Sequence, residues 1–163
     1  MVTDASPSEF SEREIWNYLS EVHDPEVPVL TVIDLGIVRK VQIINDSLKV
    51  VITPTYSGCP AMNTIEEDII AKLKEKGVSN FTVETVLAPA WTTEWMSDEG
   101  KTKLKEFGIA PPQSGSKGSG RPEACPNCGS KETKLKSEFG STACKALYIC
   151  LECKEPFDYF KCH

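Results

Sequence analysis

Apolar positions along the first hundred residues change period several times, and each change marks an element. Ile15, Trp16, Leu19 and Val22 recur at helical spacing. Ser11 stands ahead of them as a cap, with Glu14 at the capping-box position. This helix is expected to stop at Asp24-Pro25. Two prolines near the start of Asp24-Pro25-Glu26-Val27-Pro28-Val29-Leu30 exclude a helix there and stiffen a loop. From Ile37 to Ile44 the β-formers Val38, Val41, Ile43 and Ile44 predict a strand. Asn45-Asp46-Ser47 predicts a turn, and Leu48 to Thr53 the return strand of a hairpin. The turn Thr55-Tyr56-Ser57-Gly58-Cys59-Pro60 leads into a helix from about Ala61 to Lys76. Its buried stripe is Met62, Ile65, Ile69, Ile70 and Leu73, and its stop is Gly77. Asn80 to Leu87 predicts a third strand. Ala88-Pro89-Ala90-Trp91 is a loop, and Ser97 caps a last helix to about Phe107.

The order α-β-β-α-β-α predicts an α+β domain over residues 1–112, with helices packed on one three-stranded sheet. The run Pro111 to Gly120 is rich in Gly and Ser, and residues 113–121 are expected to be a flexible linker. Residues 122–163 form the remaining module. They are too few to bury an adequate apolar core by themselves.

Composition narrows the function classes. The chain has 163 residues and a net charge of -6, with 40% hydrophobic residues, enough for a folded core. Residues 1–112 hold 10 Lys/Arg against 18 Asp/Glu, and residues 113–163 hold 8 against 6. Neither part has the positive field that DNA or RNA binding requires. No apolar run reaches the roughly 20 residues of a membrane span. The first nine residues lack the basic and apolar stretches of a signal peptide, so a cytoplasmic protein is expected. In that reducing compartment the seven cysteines read as metal ligands or reactive thiols rather than disulfides.

Four of them form two C-x2-C knuckles, Cys125-Pro126-Asn127-Cys128 and Cys150-Leu151-Glu152-Cys153. Two intervening residues let a tight turn aim both sulfurs at one point. A tetrahedral ion accepts four such thiolates at about 2.3 Å. The insert Glu132 to Ile149 can form two strands that join the knuckles, and Gly129 permits a left-handed backbone after the first. A structural zinc ion is favoured over iron because four closed thiolates at ribbon spacing are its usual setting.

The other candidates carry two readings each. Cys144 is a small packed residue, or joins Cys162 and His163 in a second set of ligands for a labile metal or cluster. Cys162 and His163 are otherwise only a chain end. Cys59 precedes Pro60 at a helix start, where unpaired N–H groups favour a thiolate, so it is either a functional thiol with a depressed pKa or an inert cap. Gly58 would admit a ligand close to the backbone. Asp24, Glu26 and Asp34 are hard oxygen donors that could assist a metal, or plain turn residues. Trp91 and Trp95 belong to the core or to a docking surface. The chain has no phosphate loop, no G-x-S-x-G and no G-x-G-x-x-G.

The loop Asp24-Pro25-Glu26-Val27-Pro28, the segment Asp34-Leu35-Gly36-Ile37-Val38 and the turn Thr53-Pro54-Thr55-Tyr56-Ser57-Gly58-Cys59-Pro60 resemble a known domain. It is the iron–sulfur assembly domain shared by SufT-like bacterial proteins and the cytosolic targeting factors of eukaryotes, and the likeness covers about residues 10–110. Cys144-Lys145-Ala146, the segment Glu155 to His163 and the ribbon extend it. The whole chain is similar to the D-subunit family of bacterial phenylacetyl-CoA epoxidases. That resemblance implies an accessory protein of aerobic phenylacetate breakdown rather than the oxygenase or another enzyme. It also implies a role in maturing metal centres, above all those of the iron–sulfur reductase component. Cys59 is then the functional thiol, holding iron or a cluster transiently. The residues agree on one point independently: the paired Glu and Glu-x-x-His helices of a di-iron oxygenase are missing. Two alternatives stay open. One is a structural docking subunit of the epoxidase; the other is a thiol redox protein acting through Cys59.

Overall fold

The computed structural model describes residues 6–55, 60–112, 121–142 and 144–160. The chain forms two compact units, Met1–Trp91 and Thr92–His163.

In the first unit a single 3-10 turn, Pro7–Glu9, precedes helix α1, Glu12–Leu19. The capping box is present in full. Ser11 Oγ accepts the Glu14 N–H at 3.2 Å, and the Glu14 carboxylate accepts the Ser11 N–H at 2.7 Å. The helix ends earlier than its apolar stripe. Val22 stays in the core but lies past the last turn, where its carbonyl accepts the Val32 N–H at 2.9 Å.

Strands β1 (Val38–Ile44) and β2 (Ser47–Ile52) form the antiparallel hairpin. Asn45 and Asp46 both have positive φ, 48° and 62°, which matches the twist of a two-residue hairpin turn. Strand β3 (Phe81–Thr85) runs parallel to β2, so the sheet order is β1-β2-β3. Helix α2 (Ala61–Glu75) makes the crossover that a parallel pair needs. Val50, on the central strand, pairs with Val41 on one side and Val83 on the other. The α2 stripe of Met62, Ile65, Ile69 and Leu73 is buried, whereas Ile70 is only half-buried. Gly77 at φ 80° ends the helix in a Schellman motif. Its N–H donates to the Lys74 carbonyl at 3.0 Å, and the Val78 N–H reaches the Leu73 carbonyl at 2.9 Å.

The second unit opens with a 3-10 turn, Thr93–Trp95, followed by α3 (Asp98–Glu106), whose cap Ser97 accepts the Gly100 N–H at 3.0 Å. Strand β4 (Ile109–Ala110) follows, then β5 (Thr133–Ser137), β6 (Lys145–Cys150) and β7 (Pro156–Phe160). The sheet order is β4-β7-β6-β5. The sequence pattern predicts two strands here; the structure has four. It also places the last helix with the first domain and a boundary at 112, whereas the compact units divide between Trp91 and Thr92. The reason is β4. Ile109 and Ala110 pair in parallel with Asp158 and Tyr159 of β7, which ties the segment after α3 to the ribbon. Tyr148 stacks on Phe157 and meets Tyr159 edge-on, at centroid distances of 6.0 and 5.7 Å. Among the described residues, no helix is long and apolar enough to cross a membrane.

Candidate functional site

The two knuckles sit at opposite ends of the ribbon's strands in sequence, yet their backbones repeat one another. The Gly129 N–H donates to the Cys125 carbonyl at 2.8 Å, and the Lys154 N–H donates to the Cys150 carbonyl at 3.1 Å. The N–H of the first cysteine in each knuckle reaches five residues on: Cys125 to the Ser130 carbonyl, Cys150 to the Glu155 carbonyl. Each turn closes with a residue of positive φ, Gly129 at 79° and Lys154 at 64°. Gly129 is foreseeable from sequence. Lys154 is not, and its only sequence signal is that it holds the same offset from Cys150 as Gly129 does from Cys125.

This repeat gives a test with two opposite signs. A Cβ at Gly129 would meet nothing within 4 Å, so Gly129→Ala costs only backbone strain, about 1 kcal/mol. Lys154→Gly relieves the same strain and is expected to stabilise the ribbon by up to about 1 kcal/mol. Thermal melts of both variants would show the melting temperature moving down in the first and up in the second.

The turns bring the four sulfurs together. Cys125, Cys128, Cys150 and Cys153 have all their Sγ atoms within 4.8 Å of one another. Cys125 and Cys153 are 3.8 Å apart, and Cys128 and Cys150 3.5 Å apart. Four sulfurs at 2.3 Å from one ion define a tetrahedron with edges of about 3.8 Å, so this donor set fits zinc in both chemistry and spacing. The cluster is charge-frustrated without a cation. Backbone N–H donation from Cys153, with help from Glu152 and the neighbouring sulfurs, lowers the Cys150 thiol to about 7. The Cys153 thiol goes the other way. The Glu155 N–H favours its thiolate, but burial and the Cys150, Cys128 and Cys125 sulfurs outweigh that and push it up to about 12. A divalent ion would let all four ionise together.

The remaining candidates separate by position. Cys144 is buried outside the four-sulfur group, with its Sγ 2.9 Å from Thr142 Oγ1. Cys162, His163, Cys59 and Gly58 lie outside the described residues. Pro60, directly after Cys59, leads into α2 at Ala61. Asp24 organises the stiff loop: its Oδ1 accepts the N–H groups of Glu26 and Val27 at 2.6 and 2.9 Å. Asp34 and Thr31 form a reciprocal pair. The Thr31 N–H donates to Asp34 Oδ2 and the Asp34 N–H to Thr31 Oγ1, both at 3.1 Å. Thr31-Val32-Ile33-Asp34 thus follows capping-box spacing, a signal present in the sequence. Glu26 is half-buried. Among the described residues, the four cysteines are the one group of three or more His, Cys, Asp or Glu spaced to hold an ion, so Asp24, Glu26 and Asp34 do not make one. Trp91 is buried, and its Nε1–H donates to the Leu35 carbonyl at 2.8 Å; Trp95 is half-buried.

Residues 109–161 match the family described as the PaaD zinc beta ribbon domain, and residues 12–87 match the iron-sulfur cluster assembly protein family. A relative from Escherichia coli (strain K12), provisionally named as the D component of 1,2-phenylacetyl-CoA epoxidase, is 49% identical over 152 residues, which is 92% of each chain. The chain belongs to the PaaD family. Its ribbon match begins at Ile109, the first residue of β4, which agrees with the pairing of β4 to β7. The first part of this PaaD-family chain has relatives of its own. An Fe-S protein maturation auxiliary factor from Porphyromonas gingivalis is 35% identical over 96 residues, covering 58% of this chain and 90% of the relative. The crystal structure of a domain of unknown function (DUF59) from Bacillus anthracis superposes with a TM-score of 0.53 at 30% identity, covering 57% of this chain and 90% of that one.

Proposed function

We propose that this PaaD-family chain is a non-catalytic, cytoplasmic accessory protein that assists iron–sulfur cluster assembly or delivery for the phenylacetyl-CoA epoxidase system. Its client is the iron–sulfur reductase component of that multicomponent oxygenase. The observation that carries the reading is the joining, in one chain, of a domain related to Fe-S maturation factors with the ribbon of an epoxidase component family.

In this reading Cys59 holds iron or a cluster as cargo. A thiolate suits the task because it is a soft ligand that exchanges readily. In sequence it stands two residues ahead of α2, which begins at Ala61, and a thiolate so placed would be favoured by unpaired backbone N–H groups and the positive helix end. Gly58 admits the cargo. Asp24 and Asp34 accept backbone N–H groups within the loops of residues 24–36, and Glu26 is a half-buried oxygen donor in the same loop as Asp24. Cys59 is the only cysteine in residues 1–112, which weighs against a dithiol redox cycle within that domain. The ribbon zinc is structural. Cys144, with Cys162 and His163, remains a proposed second set of ligands.

The test is the loading of the reductase. Cys59→Ala should leave the fold intact, at a cost of about 1 kcal/mol, because it removes a single sulfur atom ahead of the α2 cap, which is Pro60. The reductase purified from cells carrying the variant should hold less iron and acid-labile sulfide than from cells carrying the native chain. Full loading with reduced epoxidase activity would instead favour the structural docking role.

A further inference from the structure

The four sulfurs of the metal centre are not equally protected. Cys125 and Cys150, the first cysteine of each knuckle, are 1% and 0% exposed and belong to the apolar cluster with Tyr148, Phe157 and Tyr159. Cys128 and Cys153, the second of each, face outward: Cys128 is exposed and Cys153 half-buried. The knuckle turn dictates this. Its first cysteine is pinned by backbone bonds at both N–H and carbonyl, while its second stands at the rim where the chain turns away. A small polar oxidant approaching from solvent therefore meets Cys128 first. Cys150 of the other knuckle stands beside Cys128, with the two sulfurs 3.5 Å apart, against 3.8 Å between Cys125 and Cys153.

We propose that Cys128 is a site of oxidation by peroxides, with Cys150 as the thiol that resolves it into a disulfide between the two knuckles. The Cys128 thiolate attacks one peroxide oxygen. The O–O bond breaks, Cys128 becomes a sulfenic acid, and the departing hydroxide takes a proton to leave as water. The Cys150 thiolate then attacks the Cys128 sulfur. The S–S bond forms, the S–O bond breaks, and the second hydroxide leaves as water with another proton. Two thiolates lose two electrons in all, and one peroxide becomes two waters. Closing 3.5 Å to the disulfide length of about 2.05 Å requires only a small inward shift of two sulfurs. Two thiolates remain, too few to retain a structural divalent ion.

The reach of the reagent and the identity of the bond are both measurable. Zinc-loaded full-length chain is treated with hydrogen peroxide, ion release is followed with a chromogenic chelator, and the disulfides are mapped by peptide mass spectrometry. The expected result is release of the ion together with a Cys128–Cys150 disulfide, both reversed by a dithiol reductant and zinc, and both unchanged in the Cys59→Ala chain. In parallel, a limiting amount of maleimide should label Cys128 about tenfold faster than Cys125 or Cys150. Bonds within a knuckle, Cys125–Cys128 or Cys150–Cys153, would overturn the proposal. So would equal labelling of all four cysteines, or retention of the ion while Cys59 alone is oxidised.

Discussion

Cys125→Ser and Cys153→Ser are each expected to drop the zinc content from about one per chain to none and to unfold the ribbon. Structural zinc contributes on the order of 10 kcal/mol to folding at neutral pH, and losing one thiolate removes most of that. The ribbon has little to replace it, because its apolar cluster is small and includes two of the ligands, Cys125 and Cys150. Hydrogen exchange would show protection lost across β5, β6 and β7, while β1 to β3 and α2 keep theirs. The loss should reach back to Ile109 and Ala110, whose pairing partners lie on β7. Normal zinc content in both variants would remove the assignment of the four ligands.

Trp91→Ala is expected to destabilise the first unit by about 3–5 kcal/mol, the range for an emptied aromatic site in a core. The indole is 3% exposed, and removing it also leaves the Leu35 carbonyl without its donor at 2.8 Å. A domain of this size holds only about 5–15 kcal/mol in total. The melting temperature should fall by at least about 12 °C, at about 4–8 °C per kcal/mol. Trp91→Phe keeps most of the volume and loses the N–H, so it should lose about 1–3 kcal/mol of stability. A docking residue behaves otherwise: both variants would melt with the native chain and weaken only a complex with a partner. Thermal unfolding followed by circular dichroism decides between them.

The residues differ in how openly they announce these roles. The Ser11–Glu14 box, the Asn45-Asp46 turn and Gly77 each impose a backbone need that few residue types meet, so α1, the hairpin and the end of α2 are legible. The four-cysteine group is legible for the same reason, since paired C-x2-C spacing has few other uses. Strand β4 is not. Two residues carry no periodicity, and Ile109-Ala110 becomes a strand only because β7 offers it an edge. Strand β7 is hidden by opening on Pro156, a residue found at strand starts and edges rather than in strand interiors. For Trp91 and Trp95 the sequence carries no direction, because an indole serves a core or an interface equally well. For Asp24 the acceptor is visible but its donors are backbone N–H groups, which no sequence displays.

The pairing of β4 with β7 changes which unit holds the residues on either side of the Gly/Ser-rich segment. Pro112 and Arg121, which flank residues 113–120 in sequence, both belong to the second unit. The flexible linker expected over residues 113–121 lies, but for Arg121, outside the described residues. A cut there would still leave Ile109 and Ala110 paired with Asp158 and Tyr159 on β7. The covalent seam between the family's two inheritances lies about twenty residues earlier, beside a buried tryptophan. Anyone dividing this protein into independently folding halves should cut between Trp91 and Thr92.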